Sequence, residues 1–199
     1  MARARRSPEQ ARALIVEAAQ ALMAERGPDA VGLKDVAEAA GVSHALVTHY
    51  FGTYDGLVDA ALESRARKSR AELLARIAEA EPDLEQWLDA LFATLVDPLY
   101  VRLGVWAILR GRASSADFFP RRDKGMREIA DRLSERFGDR VPRERIEHAM
   151  IMVFTSSFAY ALAEDVLWAS LGRRASAARA AGFRKYLAEI LLRELPLRS

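Results

Sequence analysis

The sequence contains no cysteine and no asparagine, and only three of its 199 residues are histidine. Without cysteine there are no disulfides and no thiolate chemistry, so a reducing cytoplasm is the expected location. No run of eighteen or more apolar residues occurs, and the arginine-rich start lacks the apolar core of a secretory signal. We therefore expect a protein that neither spans a membrane nor is exported.

The residues needed for catalysis and metal binding are scarce as well. The three histidines, at positions 44, 49 and 148, are too few and too scattered for a transition-metal site. No glycine-rich phosphate loop, nucleophile elbow or His-Glu-x-x-His motif occurs. We therefore expect no enzymatic activity, no metal and no cofactor.

The sustained alternation of polar and apolar residues that marks β-strands is also missing. The stretches between the seven prolines are instead rich in Ala, Leu, Arg and Glu, which are strong helix formers. The pattern predicts an all-α fold of about nine helices, the last five near 83–96, 98–112, 120–138, 143–171 and 174–194. The composition changes near residue 55, which predicts an N-terminal head (1–54) and a larger helical body (55–199).

Two short helices joined by a tight turn occupy residues 33–51 of the predicted head. Gly41 suits the left-handed conformation that ends the first helix. Ser43 can accept a hydrogen bond from the free amides that begin the second helix. Such a pair, with no room for a longer loop, is the helix-turn-helix unit that places its second helix in a DNA major groove. We therefore predict that residues 1–54 bind double-stranded DNA.

Around this unit the sequence resembles the TetR (tetracycline repressor) family of transcriptional regulators. The matching elements are Ile15…Ala18-Ala19…Leu22…Gly27, Val36-Ala37…Ala40-Gly41-Val42-Ser43 and His49-Tyr50-Phe51…Leu57. The resemblance implies a homodimer of all-helical subunits, each with a three-helix DNA-binding head and a helical-bundle body for ligand binding and dimerisation. It also implies a repressor that binds a palindromic operator and is released by a small apolar molecule.

Several positions depart from the family pattern. Thr48 stands where a tyrosine commonly contacts phosphate, and Tyr54 replaces the lysine that usually begins the fourth helix and grips the DNA backbone. Between Ser43 and Phe51 there is no Arg, Lys, Asn or Gln, the usual readers of guanine and adenine. These departures leave an alternative open: a helical homodimer that has lost DNA binding and acts as a protein-interaction module.

The remaining polar residues of the second helix are the candidates for reading DNA. His44 can donate to a guanine acceptor, and Ala45 and Thr48 can meet thymine methyl groups. By family analogy His49 and Tyr50 contact phosphate or a nearby base, while the simpler alternative for both histidines is a solvent-facing or merely backbone-touching side chain. The predicted DNA-binding residues are Arg5, Arg6, Lys34, Ser43, His44, Ala45, Thr48, His49, Tyr50 and Tyr54.

Basic residues outside that helix complete the DNA-binding prediction. Arg5 and Arg6 precede the first helix and form either an arm that contacts DNA or a merely solubilising terminus. Lys34, near the start of the second helix, is a candidate phosphate contact. Because these contacts displace counterions, we expect operator affinity to fall steeply with salt.

The last two predicted helices are unusually apolar. A helix that is apolar on every face must be covered on every side. This favours a two-fold dimer interface over the alternative of a central helix buried within one subunit. The predicted interface residues are Met152, Ala159, Ala163, Phe183, Tyr186, Leu187 and Ile190.

Aromatic and methionine residues from several body helices form the second predicted body site. Such a set can line an apolar pocket for a small-molecule effector. It is also what an ordinary core contains, and taken residue by residue the core is the better interpretation. The candidate pocket residues are Trp87, Leu91, Phe92, Tyr100, Leu103, Trp106, Met150, Phe154 and Phe158.

Overall fold

A computed structural model describes residues 7–79, 92, 97–114 and 124–194. All regular structure in these ranges is helical, which confirms the all-α prediction. The predicted helix at 83–96 lies outside the described residues except for Phe92. The eight described helices are α1 (Pro8–Arg26), α2 (Leu33–Ala40), α3 (His44–Phe51), α4 (Tyr54–Glu79), α5 (Pro98–Leu109), α6 (Gly125–Phe137), α7 (Arg143–Ser170) and α8 (Ala177–Glu194).

Side-chain caps fix where the N-terminal helices begin. Ser7 Oγ accepts from the Gln10 amide at 3.2 Å, and the Gln10 side chain accepts from the Ser7 amide at 2.9 Å. This reciprocal capping box satisfies two of the amides that a helix start leaves free. Thr53 Oγ1 caps α4 in the same way by accepting from the Gly56 amide at 3.2 Å.

The described chain divides into two compact units. Unit 1 contains α1 to α3, α4 as far as residue 66 and α5 from residue 102. Unit 2 contains the other part of α4 and of α5, together with α6, α7 and α8. The predicted domain division after residue 54 stays a prediction, and the contacts within unit 1 add the end of α5 to the N-terminal helices.

Unit 1 has a closely packed core to which each of its first four helices contributes. The fully buried side chains of these four helices in unit 1 are Ile15, Ala19, Met23, Val36, Val47, Leu57, Val58, Ala61 and Leu62. A polar contact joins α1 to α4 beside this core, because Gln20 Nε2 donates to the Ala61 carbonyl at 2.9 Å. Burial of one face of α3 therefore sets which of its residues point away from the protein.

Unit 2 is organised around α7, which has one buried and one exposed face. The buried residues of α7 are Ile146, Met150, Val153, Ser157 and Tyr160. Of these, Ile146, Met150 and Val153 pack in a cluster with Leu73 of α4, Leu133 of α6 and Leu191 of α8, among others. The helix is interrupted at Ala163, where φ is −134° and ψ is 17°.

Within the described residues α7 is also the one helix long and apolar enough, by length and composition, to cross a membrane. A core helix of a soluble protein meets the same criteria. Only 22% of its most apolar stretch is buried within the chain. The apolar composition of α7 therefore exceeds what the described part of one subunit covers.

Candidate DNA-binding surface and aromatic cluster

The turn between α2 and α3 has the geometry expected of a helix-turn-helix unit. Gly41 adopts the left-handed conformation, with φ 62° and ψ 39°, and thereby ends α2. The Val42 amide donates back to the Ala37 carbonyl at 3.0 Å. Ser43, two residues after Gly41, caps the start of α3, because its Oγ accepts from the Leu46 amide at 3.2 Å. These local contacts fix the angle at which α3 leaves α2.

Helix α3 presents its polar residues outward because an apolar residue anchors the opposite face. Val47 is 0% exposed, and Leu46 and Phe51 are half-buried. Tyr50 is half-buried as well. The exposed residues of the segment include all the other predicted readers, namely Ser43, His44, Ala45, Thr48 and His49. The structure therefore brings these predicted residues together on one surface.

Contacts within α3 limit what some of these residues can offer to DNA. The Thr48 hydroxyl donates to the His44 carbonyl at 3.1 Å, which leaves its methyl group and oxygen lone pairs for a base or phosphate. The His49 and Tyr50 rings meet edge to face, with centroids 5.4 Å apart. His44 is exposed at the first position of the helix, where a recognition helix contacts bases.

The predicted phosphate contacts fall in different surroundings. Lys34 is exposed in the first turn of α2. Asp35 Oδ2 accepts from the Gly32 amide at 2.8 Å, which satisfies the amide of the residue just before that turn. Arg12 of α1 is not among the predicted DNA-binding residues. Its guanidinium carbon lies 5.3 Å from the centroid of the Phe51 ring. Arg5 and Arg6 lie outside the described residues.

Tyr54, the residue that replaces the family's lysine, is engaged inside the protein. Its hydroxyl donates to the Pro28 carbonyl, and its ring meets Trp106 edge to face at 5.9 Å. Burial raises the pKa of Tyr54 to about 12, and the nearby carboxylate of Asp29 adds to the rise. The predicted contact of Tyr54 with DNA stays a prediction, but its phenol proton is already used to hold α4 to the turn after α1.

Asp29 is the centre of a polar contact that the sequence did not predict. Its Oδ1 accepts from Trp106 Nε1 at 2.8 Å and from Arg110 Nη2 at 2.9 Å. The Arg110 guanidinium also lies over the Trp106 ring at 5.2 Å. The hydrogen bond from Arg110 lowers the pKa of Asp29 most, and the hydrogen bond from Trp106 lowers it further. One carboxylate therefore ties the end of α5 to the turn after α1.

The structure separates the residues of the predicted effector pocket. Phe154 and Phe158 stack with centroids 4.3 Å apart, and Tyr100 meets Phe158 edge to face at 5.5 Å. We call these three residues the aromatic cluster. Phe92 and Met150 belong to the core of unit 2. Two further candidates, Leu103 and Trp106, belong to unit 1. The last two, Trp87 and Leu91, lie outside the described residues.

The predicted dimer residues occupy both faces of the last two helices. Tyr186 is 63% exposed and Ala159 is exposed. Phe183 stacks on Tyr160 with centroids 4.5 Å apart. Leu187 is only 6% exposed and belongs to the core of unit 2, so it is not part of the exposed face. The remaining candidates, Met152, Ala163 and Ile190, are half-buried.

Within the described ranges no group of three or more His, Asp or Glu side chains is arranged to hold a metal ion. The side chains assembled here instead form an exposed helix, a set of caps and an aromatic cluster. An exposed second helix locked at a fixed angle to the first, on an all-helical scaffold, defines a helix-turn-helix DNA-binding protein.

Comparison with known proteins agrees with that class. Residues 15–61 match the family model for bacterial regulatory proteins of the tetR family. This match places the N-terminal part of the chain with a family of bacterial transcriptional regulators. An HTH-type transcriptional repressor of Mycobacterium tuberculosis H37Rv is 45% identical over 60 residues, which is 30% of this chain and 32% of that protein. The match thus spans about a third of the length of such curated relatives.

Solved structures extend the likeness from the head to the whole fold. A protein of Mesorhizobium loti MAFF303099, classed with TetR-family regulators, has a TM-score of 0.69 at 19% identity, covering 95% of this chain and 98% of that one. The TetR-family repressor AlkX of Dietzia sp. has a TM-score of 0.58 at 19% identity, covering 94% and 99%. The multidrug binding protein EbrR has a TM-score of 0.65 at 18% identity, covering 94% and 96%. At these identities the likeness concerns the fold alone.

Proposed function

We propose that this chain is a cytoplasmic, homodimeric repressor that binds a palindromic operator through α3 and is released by a small, largely apolar molecule. The observation that carries the proposal is the arrangement of α3. Val47 anchors one face in the core of unit 1, while Ser43, His44, Ala45, Thr48 and His49 remain exposed on the other. Exposed polar residues at the start of a docked helix are what a major groove admits.

The exposed face of α7 supports the homodimer. Residues three or four apart form a stripe on it, and all of them are exposed: Ile151, Thr155, Ala159, Leu162 and Val166. Leu162 is 58% and Val166 71% exposed, and Tyr186 of α8 is 63% exposed. Six of the nine exposed large apolar residues in the described ranges lie between 151 and 186. A contiguous apolar face of this kind fits a second copy of the chain.

The aromatic cluster supports an effector in unit 2. Stacked and edge-to-face rings offer flat apolar surface to a small molecule. Among proteins with this fold, one is named for multidrug binding and another is implicated in the biodegradation of n-alkanes. A small apolar effector for this chain is our proposal, and the cluster of Tyr100, Phe154 and Phe158 is where we place it.

Titration against DNA from upstream of the chain's own gene, at several salt concentrations, tests the proposal. We expect protection of two half-sites, and a log–log salt slope that steepens by about 0.9 for each phosphate neutralised. The His44→Ala change should relax specificity at one base pair by about 1–3 kcal/mol. His148→Ala, the same change on an exposed residue of unit 2, should leave operator binding unchanged.

The same titration separates this function from a protein-interaction module that has lost DNA binding. Binding with no sequence preference, or no binding at low salt, would favour the module. A uniform loss of affinity in His44→Ala would place His44 on the DNA backbone instead of a base edge.

A further inference from the structure

Ser157 lies on the buried face of α7 and is 0% exposed. Val153, four residues earlier, and Tyr160, three residues later, are buried on the same face. Among the described residues of unit 2, Ser157 Oγ is the one buried side-chain polar atom without a hydrogen-bond partner. Because buried polar groups almost always have a partner, this hydroxyl requires an explanation.

The usual partner of a serine in a helix is available but unused. Helical Ser and Thr hydroxyls commonly donate to a carbonyl three or four residues earlier. On the exposed face of α7, Thr155 does this by donating to the Ile151 carbonyl at 2.8 Å. Ser157 makes no such bond. Its donor and its acceptor lone pairs are therefore both free in the interior of unit 2.

The free hydroxyl is close in sequence to the aromatic cluster. Ser157 is three residues after Phe154, a spacing that makes the two side chains neighbours on a helix, and it directly precedes Phe158. The two rings stack at 4.3 Å, and Tyr100 contacts the second of them at 5.5 Å. One hydrogen-bonding group next to three aromatic rings matches the usual composition of a small-molecule site.

The surroundings also limit the charge of what this site can hold. Ser157 and Asp59 are the buried polar side chains in the described part of the chain, and Asp59 belongs to unit 1. A charged ligand group would find no buried counter-charge among the described side chains of unit 2, and an unpaired buried charge is strongly unfavourable.

We propose that Ser157 is the polar anchor of the effector site, and that the effector is an uncharged, mainly aromatic molecule with one hydrogen-bonding group. This inference rests on the proposed function, because it assigns the ligand of the same regulator. The rings of Phe154, Phe158 and Tyr100 contact the flat part of the molecule, and Ser157 Oγ exchanges a hydrogen bond with its hydroxyl or carbonyl group.

Three probes of one shape test the assignment by calorimetric titration of the full-length protein. They are 2-naphthol, which has a neutral hydroxyl, 2-methylnaphthalene, which has no hydrogen-bonding group, and 2-naphthoate, which is charged. We expect 2-naphthol to bind at least about tenfold more tightly than 2-methylnaphthalene, a difference of about 1.4 kcal/mol, and 2-naphthoate to bind most weakly. In Ser157→Ala the preference for 2-naphthol should disappear, with the affinity for 2-methylnaphthalene unchanged.

The thermal stability of Ser157→Ala in the absence of any probe gives a second, independent test of the unpartnered hydroxyl. If the hydroxyl has no partner in the free protein, Ser157→Ala removes an unsatisfied group and should raise Tm by about 2–4 °C. A hydroxyl with a purely structural role would make the same change lower Tm. Ser156→Ala, the same substitution at a half-buried neighbour, is the control and should alter neither the probe preference nor Tm.

Three results would overturn the assignment: an unchanged preference for 2-naphthol in Ser157→Ala, tightest binding of 2-naphthoate, or no binding of any probe. Operator titration of the same variants keeps this outcome apart from the proposed function. Sequence-specific operator binding with a failed probe test rejects only the role of Ser157. Loss of operator binding in the unaltered protein rejects the repressor itself.

Discussion

The two units differ in how they join helices that are far apart in the sequence. In unit 1 directional polar contacts do this, since Trp106 and Arg110 donate to Asp29 and Tyr54 donates to Pro28. In unit 2 the apolar core and the stacking of Tyr160 on Phe183 contribute most of these contacts, with an ion pair between Arg70 and Glu128 at 3.7 Å beside them. Hydrogen bonds fix orientation, which a DNA-reading helix needs. Apolar surfaces are non-directional and suit a dimer face or a ligand site.

A charge placed on the exposed face of α7 should have the largest effect. Leu162→Glu leaves the protomer intact, because Leu162 is 58% exposed. In the dimer it would put an unpaired charge into an apolar interface, so we expect the dimer dissociation constant to rise at least about 100-fold, the equivalent of about 2.7 kcal/mol. Sedimentation equilibrium measures the dimer, and operator affinity should fall with it.

Met126→Glu is the matched control for this change. Met126 is 45% exposed and belongs to α6, outside the proposed interface residues of α7 and α8, so the variant should remain dimeric. A Leu162→Glu protein that dimerises as tightly as the unaltered chain would refute the proposed interface.

The next effect concerns a close approach in unit 1. A Cβ atom at Gly56 would lie 2.2 Å from the Phe51 carbonyl oxygen, so Gly56→Ala must displace the end of α3 or the start of α4. We expect a loss of about 1–3 kcal/mol in the stability of unit 1 and at least a tenfold weaker operator complex. Gel-shift titration and thermal unfolding measure the two effects.

The same substitution in unit 2 should have the opposite sign. A Cβ atom at Gly182 of α8 meets nothing within 4 Å, and Gly→Ala inside a helix gains up to about 1 kcal/mol. Equal effects of Gly56→Ala and Gly182→Ala would contradict the view that unit 1 is the geometrically constrained unit.

The contrast between Gly56 and Gly41 shows what the sequence could predict. The left-handed conformation of Gly41 and the caps at Ser7, Ser43 and Thr53 depend on residues within four positions, so local pattern predicts them. The clash at Gly56 depends on the exact path of the α3–α4 turn. That path is set by the packing of the helices, so it cannot be predicted from the spacing of residue types in the sequence.

The contact at Asp29 was out of reach for a different reason. Trp106 of α5 and Arg110, the residue that follows its last turn, are four positions apart, a spacing that brings side chains together and is present in the sequence. Their acceptor lies 77 and 81 residues away, and nothing local distinguishes Asp29 from other exposed carboxylates. Trp106 was accordingly assigned to the effector pocket, whereas its indole N–H is bonded within unit 1.

Tyr54 offers the smallest and most specific effect, a change in the pH dependence of stability. Its pKa is 10.0 in an unfolded chain and is raised to about 12 in the folded protein, mainly by burial. The folded state thus favours the protonated phenol. The resulting stability is fully present below pH 10 and is lost as pH rises from 10 towards 12. Tyr54→Phe has no phenol to ionise at this position, so it does not lose stability in this way between pH 10 and 12.

At neutral pH Tyr54→Phe should be less stable by about 0.5–1.5 kcal/mol, because the hydrogen bond to the Pro28 carbonyl is gone. Between pH 10 and 12 the gap between the two proteins should narrow, as the unaltered chain loses stability faster; thermal unfolding across this range measures it. Tyr50→Phe, which removes another half-buried tyrosine of unit 1, controls for the loss of a phenol in unfolding measured without DNA. A gap that stays constant up to pH 12 would mean that folding does not raise the pKa of Tyr54, and therefore that its phenol is not buried in unit 1.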